Sequence, residues 1–319
     1  MKLTFLGTAA AERFPALWCR CPSCETARER GGRDLRRTSA LLINDDLLID
    51  AGPDVVNAGA ALGLSLAGVQ AVLISHAHYD HLEPLTFLAR DAWSSGTPLP
   101  LLHLYATRLS LAKLEQALAQ AGKDETALRL VSHPVAALQE WEITTGRDLA
   151  SDPRFPSKAA PISGSELPPV VPRRYRISSF AARHGPPEMD ALFFVVQQVE
   201  GPEVQGREHV PAVLYASDTG PFFAETWAAL EGAAAAGLSL DAVVLDATLG
   251  TGHKGESHLN LAQMAAHLDE LAKRGLVTGE TERLAHHFSH YFTPPYTELE
   301  RLLEPQGIRP AYDGLVINL

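Results

Sequence analysis

One short segment constrains this chain more than any other: Ser75-His76-Ala77-His78-Tyr79-Asp80-His81. It directly follows the apolar run 71–74, which predicts a buried strand, so three imidazoles and a carboxylate lie on the loop where that strand ends. Imidazole nitrogen suits zinc, iron, nickel and copper, whereas carboxylate oxygen suits harder ions. So many donors on so short a segment exceed what one ion usually takes, and we therefore predict two ions. The candidate ligands are His76 and His78 for one ion, and Asp80 and His81 for the other.

All three cysteines fall within Cys19-Arg20-Cys21-Pro22-Ser23-Cys24. An odd number of thiols packed this closely cannot form a conventional disulfide framework, whereas the spacing Cys-x-Cys-x-x-Cys places three thiolates on one tight knuckle, as a tetrahedral zinc site requires. A closed structural site needs a fourth ligand, and the histidines near the C-terminus are the best candidates. The alternative is a group of buried or redox-active cysteines without a metal.

Charge and hydropathy argue against several classes of protein. The net charge of −11 and the pI near 5.6 disfavour a long nucleic acid as the main partner, because binding it relies on Lys and Arg that displace counterions. The 46% of apolar residues is ample for a substantial core. Residues 1–6 are too short for the core of a signal peptide, and no run of about 18 apolar residues is available to span a bilayer. We expect a cytosolic protein without a membrane partner.

The composition changes once, between Thr144 and Pro172, where Pro, Ser, Gly and scattered charges replace the periodic patterns. This segment is too long for a routine connection in a compact domain, and such loops are usually either functional or disordered. Two interpretations stay open: a lid over the metals that sets specificity, or a mobile insert.

The histidine segment resembles the signature of the metallo-β-lactamase fold hydrolases, and the resemblance runs from end to end of the chain. Strands at both ends, helices between them and candidate ligands at strand ends favour two mixed sheets packed face to face, with helices outside. The resemblance implies the four-layer αββα metallo-β-lactamase sandwich, an α/β fold (α+β in some schemes). We therefore expect one domain over residues 1–319, with the zinc knuckle near 19–24 and the lid or insert at about 144–172.

The resemblance also implies the remaining ligands. His184, between a strand end and a Gly-Pro breaker, corresponds to the third histidine of the first ion, and Asp218, after an apolar strand, to the carboxylate that bridges both ions. Aligning the last histidines on the family pattern His-x-Ser-His makes His287 the final ligand of the second ion and His290 the fourth ligand of the knuckle. His286 is left as an exposed group or as a support for a ligand. The implied cofactors are two divalent catalytic ions, Zn, Mn or Fe, and one structural Zn.

Two further residues receive roles. Asp50 closes a strand at the same edge as the histidine loop; the resemblance implies that it orients the metal ligands, and the alternative is that it caps the next helix. His258 stands at the start of a helix predicted over Leu259–Lys273, where free N–H groups favour an anion and a histidine can protonate a leaving group. It also matches a histidine of the family's phosphodiesterase branch, which favours it over His253. We predict His258, Asp80 and Asp218 as catalytic residues; the alternative is that Ser257 caps the helix and His258 is a bystander.

The chain is most similar to PhnP-type cyclic phosphodiesterases, through the cysteine spacing, Ser-His-Leu-Asn, His-x-Ser-His and the ending Ala-Tyr-Asp-Gly. Residues 14–24 also look like PqqB, a pyrroloquinoline quinone biosynthesis protein, but PqqB-type sequences lack the full His-x-His-x-Asp-His. The complete ligand set implies a dinuclear metal-dependent hydrolase, and the resemblance favours a phosphodiesterase for small phosphodiesters, cyclic ones included, with a small anionic substrate as its partner. Alternatives are a PqqB-like biosynthetic or redox metalloprotein, a lactonase or thioesterase with the same ligands, and a non-catalytic scaffold. Oligomeric state stays open, a homodimer included.

Overall fold

The computed structural model describes residues 1–91, 99–146, 171–207 and 209–319, and it contains two seven-stranded sheets. The strand order of the first is β14 (Val316–Asn318), β1 (Lys2–Gly7), β2 (Ala40–Ile43), β3 (Leu47–Ile49), β4 (Ala71–Leu73), β5 (Leu102–Ala106) and β6 (Leu130–Pro134). The order of the second is β13 (Arg309–Pro310), β12 (Glu282–His286), β11 (Ala242–Asp246), β10 (Ala212–Ala216), β9 (Leu192–Glu200), β8 (Arg173–Ala181) and β7 (Glu140–Thr145). Both are mixed, with parallel pairing from β3 to β6 and from β10 to β13.

Alternation along the strands builds the layers. In β2, Leu41 and Ile43 face the second sheet and pack with residues such as Phe194 and Val244, whereas Leu42 faces the helices. Each such buried side chain contributes about 1.5–3 kcal/mol relative to exposure. The outer face of each sheet, which points away from the other sheet, carries its own apolar cluster against helices. Two sheets between two helical layers give the sandwich four layers. The predicted αββα arrangement is confirmed.

Helices cover the two outer faces. Against the first sheet lie α2 (Val55–Leu62), α3 (Leu85–Leu88), α4 (Arg108–Gln120) and α5 (Glu125–Leu128), and against the second lie α6 (Ala224–Ala235), α7 (Leu261–Lys273) and α8 (Tyr296–Leu303). The helix α1 (Pro22–Arg30) carries the cysteine knuckle. No helix in the described ranges combines the length and the apolar character that crossing a bilayer requires.

The sheets place one set of strand ends together. Since β10, β11 and β12 are parallel, and β8 runs in the same direction through the antiparallel β9, their carboxyl ends share an edge. The loop after β4 reaches this edge from the first sheet, where the N–H of Leu192 donates to the carbonyl of Ser75. Parallel strand ends of this kind are where the ligand sites of α/β folds lie.

The predicted loop from 144 to 172 is shorter than expected at its start, because Thr144 and Thr145 extend β7. Thr145 pairs with Arg173 at the beginning of β8, so both ends join the sheet at the edge opposite His184. Residues 147–170, and with them the choice between lid and insert, lie outside the described residues.

Candidate metal centre

The loop 75–81, called the metal loop below, is fixed from several sides. Asp50, which is fully buried, accepts the backbone N–H of Ser75 at 2.8 Å, and its second oxygen lies 2.7 Å from Nδ1 of His81. The ammonium of Lys113 on α4 donates to the carbonyls of Ala77 and Leu82, both at 2.8 Å. Asp50 caps no helix, since α2 begins only at Val55. It takes the orienting position that the sequence resemblance implied.

The first predicted group of ligands comes together at the end of β4 and β8. Nδ1 of His78 lies 2.9 Å from Nε2 of His76 and 2.9 Å from Nε2 of His184. The Asp218 carboxylate adjoins them, with Oδ1 at 3.1 Å from His184 Nδ1 and Oδ2 at 3.4 Å from His76 Nε2. Two ring nitrogens that both contact His78 Nδ1 cannot both be paired by one proton, and lone pairs gathered in this way are suited to a shared cation.

The second predicted group adjoins the first on the buried side. Nε2 of His81 lies 3.1 Å from Asp80 Oδ2, 3.3 Å from Asp218 Oδ2 and 3.2 Å from Nε2 of His287. Nδ1 of His287 contacts the hydroxyl of Thr248 at 2.8 Å, which leaves its Nε2 facing the carboxylates. Asp218 therefore touches both groups, in the position of a bridging ligand.

Electrostatics inside the centre are strongly coupled. Burial and the neighbouring His81 ring hold the pKa of His76 well below its usual value. Burial alone would favour a neutral His81 as well, but the carboxylates of Asp80 and Asp50 raise the pKa of this ring well above normal. Burial would likewise raise the pKa of Asp218, yet the surrounding rings of His287 and His184 hold it well below the ordinary range. The centre thus keeps the buried carboxylate of Asp218 ionised.

The donor set fits two divalent ions. Asp218 Oδ1 is buried and lacks a hydrogen-bond partner within the described part of the chain, although two imidazole nitrogens lie near it. A buried ionised oxygen without such a partner is costly unless a cation neutralises it. Nitrogen and carboxylate donors together accept Zn, Mn or Fe. The structure brings together all seven predicted ligands, whose role in coordination stays a prediction: His76, His78, Asp80, His81, His184, Asp218 and His287.

His258 lies at the rim of this centre, but not at a helix start. The helix α7 begins at Leu261, capped by Asn260 and Gln263 in a reciprocal pair of hydrogen bonds. The N–H of Leu261 donates to the carbonyl of Gly250, and the N–H of Gln263 donates to Oδ1 of Asn260. The helix predicted over Leu259–Lys273 is present, but its start was placed two residues too early, and the expected free N–H groups at Leu261 and Gln263 are already bonded. Ser257 is not the cap.

What holds His258 is a carboxylate that the sequence reasoning did not select. Nδ1 of His258 lies 3.0 Å from Oδ2 of Asp246, at the end of β11, and 2.9 Å from Oδ1 of Asp218. Burial works against the charged ring, but Asp246 and Asp218 raise the pKa of His258 to about 11. Asp246 also accepts from the hydroxyl of Thr248, and so supports His287 through one intermediate side chain. Its position at the acidic end of an apolar strand was the available sequence signal.

The cysteine knuckle and His290 also meet, as predicted. Cys19, Cys21, Cys24 and His290 have their donor atoms within 4.8 Å of one another, and Cys21 Sγ lies 3.5 Å from His290 Nδ1. Burial opposes ionisation of Cys21, but hydrogen bonds from the Cys24 N–H and His290 lower the pKa of this thiol to about 6. Such a thiolate suits a tetrahedral zinc site, the fit expected of a structural ion.

Backbone hydrogen bonds join the knuckle to the candidate metal centre. The N–H of Phe288 donates to the carbonyl of Thr8, and its carbonyl accepts from the N–H of Ala10. Phe288 lies in the chain between His287 of the metal centre and His290 of the knuckle.

Two other histidines considered in the sequence lie outside the candidate ligand groups. His286 is fully buried, with Nε2 contacting the Gly7 carbonyl at 3.1 Å, so of its two predicted alternatives the exposed group was wrong. His253 is exposed against the ring of Phe292.

Comparison with known proteins identifies the family. Residues 46–279 match the beta-lactamase superfamily domain. The chain belongs to this superfamily. The metallo-β-lactamase fold family predicted from the histidine segment is confirmed.

The individual relatives differ in name, and the solved structures among them share the fold. The coenzyme PQQ synthesis protein B of Azoarcus sp. is 25% identical over 100% of both chains. A match to an octanoyltransferase of Porphyromonas gingivalis, 32% identical, covers 29% of this chain and 19% of that protein. Among solved structures, a diphosphatase of the PhnP family has 18% identity and a TM-score of 0.64, covering 99% of this chain and 96% of its own. Zinc-bound PqqB from Methylobacterium extorquens has 17% identity and a TM-score of 0.62, covering 100% of both.

Proposed function

We propose that this protein is a dinuclear metal-dependent phosphodiesterase that acts on small phosphodiesters, cyclic ones included. The observation that carries the proposal is the position of Asp218, which touches both groups of ligands at once, with no expected ligand position left unfilled. Divalent ions bound there would activate a water and neutralise charge on the phosphoryl oxygens.

The protein's own groups have separate tasks in this proposal. Asp218 and Asp80 hold negative charge in a buried site, and this charge would offset the mutual repulsion of two bound cations. Asp50 and Thr248 fix the ring orientations of His81 and His287, so that both present Nε2 to the centre.

His258 is the proposed general acid. Its Nδ1 is held by Asp246, and the side chain remains one-quarter exposed, at the open side of the centre. The proton on Nε2 can then pass to the departing alkoxide oxygen as the P–O bond breaks. A phosphodiester carries a single negative charge, so binding a small one needs no long basic groove, in agreement with the net charge of −11.

The second candidate function is a PqqB-like biosynthetic or redox role, and one observation favours it. The relative that matches over the full length of both chains is named a coenzyme PQQ synthesis protein. A lactonase or thioesterase would use the same donors. These candidates predict no turnover of phosphodiesters, and an iron-containing redox protein would consume oxygen.

The test is hydrolysis of bis(p-nitrophenyl) phosphate and of a 2′,3′-cyclic nucleotide by purified protein, with oxygen uptake recorded in parallel. Asp218→Ala should lower kcat by more than about a hundredfold, since loss even of an outer partner of a ligand costs about 10–100-fold. His253→Ala is the matched control, because this exposed histidine lies outside the centre. Metal-loaded protein without phosphodiester turnover would refute the proposal.

A further inference from the structure

A cavity of about 820 Å³ opens beside the metal centre and shares His184 with it. It lies at the same edge of the sandwich, between the end of β8 and the start of α6. Much of its wall is apolar, including Val135, Ala182, Pro186 and Phe223. Its size equals that of a pocket for a drug-sized ligand, and far exceeds the needs of a bare cyclic phosphate.

Arg183 is the fixed cationic group of this wall. It directly precedes His184, its Nε–H donates to the carbonyl of Pro221 at 2.9 Å, and its guanidinium carbon lies 4.2 Å from the centre of the Phe223 ring. The backbone is held as well, because the N–H of Arg183 donates to Thr219 and its carbonyl accepts from Gly220. A guanidinium stacked on an aromatic ring is ordered before any ligand binds.

The two terminal nitrogens of Arg183 have no acceptor among the described residues. Asp190 and Glu225 also line the cavity, yet neither forms an ion pair with Arg183 among the described residues. Arg108, at the start of α4, adds a second exposed cation to the same wall. A planar group with a free pair of donors matches the two oxygens of a carboxylate or phosphate.

From this geometry we infer that Arg183 binds a second anionic group of the substrate, a carboxylate or a phosphate, which an apolar or aromatic spacer separates from the scissile ester. The apolar wall accommodates the spacer, and the Arg183–Phe223 pair recognises its charged end. The inference rests on the proposed function and specifies its substrate class. Arg183 is thus a specificity-determining residue rather than a metal ligand.

The test uses three probes with the same chromophoric leaving group: p-nitrophenyl phenyl phosphate, its 4-carboxyphenyl analogue and its 4-phosphonophenyl analogue. Wild type should prefer one or both charged probes over the phenyl probe by at least about tenfold in kcat/KM, as expected for a charge-assisted bidentate contact. Arg183→Gln should lose this preference, and Arg183→Lys should keep only part of it. The two charged probes distinguish carboxylate from phosphate.

The matched control is Arg274→Gln, which removes a guanidinium from another aromatic ring, that of Trp227, outside the cavity. It should keep both the basal activity and the preference. Equal kcat/KM for all three probes in wild type, or a preference that survives in Arg183→Gln, would overturn the inference.

A binding measurement separates this inference from the proposed function. Titration calorimetry compares 4-carboxyphenyl phosphate with phenyl phosphate on wild type and Arg183→Gln, each with its metal content and melting temperature recorded. If the binding preference depends on Arg183 while no probe is hydrolysed, the anion subsite stands and the phosphodiesterase proposal fails. Equal binding of both ligands in wild type would refute the subsite whatever the activity.

Discussion

Replacing Asp50 by Asn tests how the metal loop is oriented. The change preserves shape in a fully buried position, and Asn tolerates the left-handed backbone there, with φ at +63°. The amide oxygen can still accept from Ser75 N–H, but its NH₂ group then faces Nδ1–H of His81, a donor against a donor. His81 can relieve this conflict by moving its proton to Nε2, the atom that faces Asp80 and Asp218.

The magnitude follows from these contacts. A nitrogen that carries a proton cannot coordinate a metal, and the lost charge-assisted hydrogen bond contributes about 1.5–3 kcal/mol. Loss of an outer partner of a ligating histidine weakens metal binding about 10–100-fold. We therefore expect Asp50→Asn to bind its second ion about 10–100-fold more weakly, with the first ion much less affected.

The assay is competition with a chelator of known affinity, followed by elemental analysis of the protein. Asp241→Asn is the matched control, because Asp241 also accepts from a histidine, His209, and from a backbone N–H, that of Ala212, at the opposite edge of the sheet. Retention of both ions by Asp50→Asn with wild-type affinity would refute the reasoning. Equal loss in the Asp241 variant would show a general effect on stability.

Three further predictions follow from single contacts. Lys113→Met removes the ammonium that binds the carbonyl of Ala77 in the metal loop and that of Leu82 directly after it, and should lower stability by about 1–3 kcal/mol and weaken metal binding. Denaturation and metal titration measure both effects, and a stable variant with full metal affinity would contradict this. Burial raises the pKa of Asp313 to about 6, so its protonated form stabilises the fold at low pH, and this contribution is lost as pH rises through 6. The unfolding free energy of Asp313→Asn should therefore rise by up to about 3 kcal/mol relative to that of wild type between pH 4 and 7. A difference in unfolding free energy that stays constant with pH would refute the cause. His258→Ala should slow hydrolysis of an alkyl phosphodiester about 10²–10⁴-fold. It should slow hydrolysis of a p-nitrophenyl ester much less, because p-nitrophenolate leaves without protonation. Equal losses of activity on both esters would exclude a proton-donor role for His258.

Sequence patterns predicted much of the fold and the centre because the chemistry is local there. The metal loop follows an apolar strand, Asp218 and His184 each follow another, and strand ends gather at one edge of the sheets. The spacing of the three cysteines similarly predicted a knuckle from local sequence alone, and the structure brings the distant His290 beside it.

Other features depend on distant packing and leave little local trace. Lys113 belongs to an ordinary amphipathic helix, and only the approach of α4 to the metal loop gives it carbonyl partners. The start of α7 was misplaced because Asn260 and Gln263 form the capping pair, which the earlier Ser257 obscured. For His286 the sequence left an exposed group and a support for a ligand as alternatives, and only the distant rings of Phe5 and Tyr215, which contact its own ring, exclude exposure. The extent of the domain, the partners and the cellular location stay predictions.

Metal content measured on protein purified without added metal tests the central claim most directly, with wild type, Asp218→Ala and Cys21→Ser analysed together. The account predicts about three equivalents per wild-type chain, loss of the bridged pair in Asp218→Ala, and loss of about one equivalent of zinc in Cys21→Ser. About one equivalent in wild type, unchanged by Asp218→Ala and lost with Cys21→Ser, would mean that the cysteine knuckle alone binds metal and would contradict the dinuclear centre.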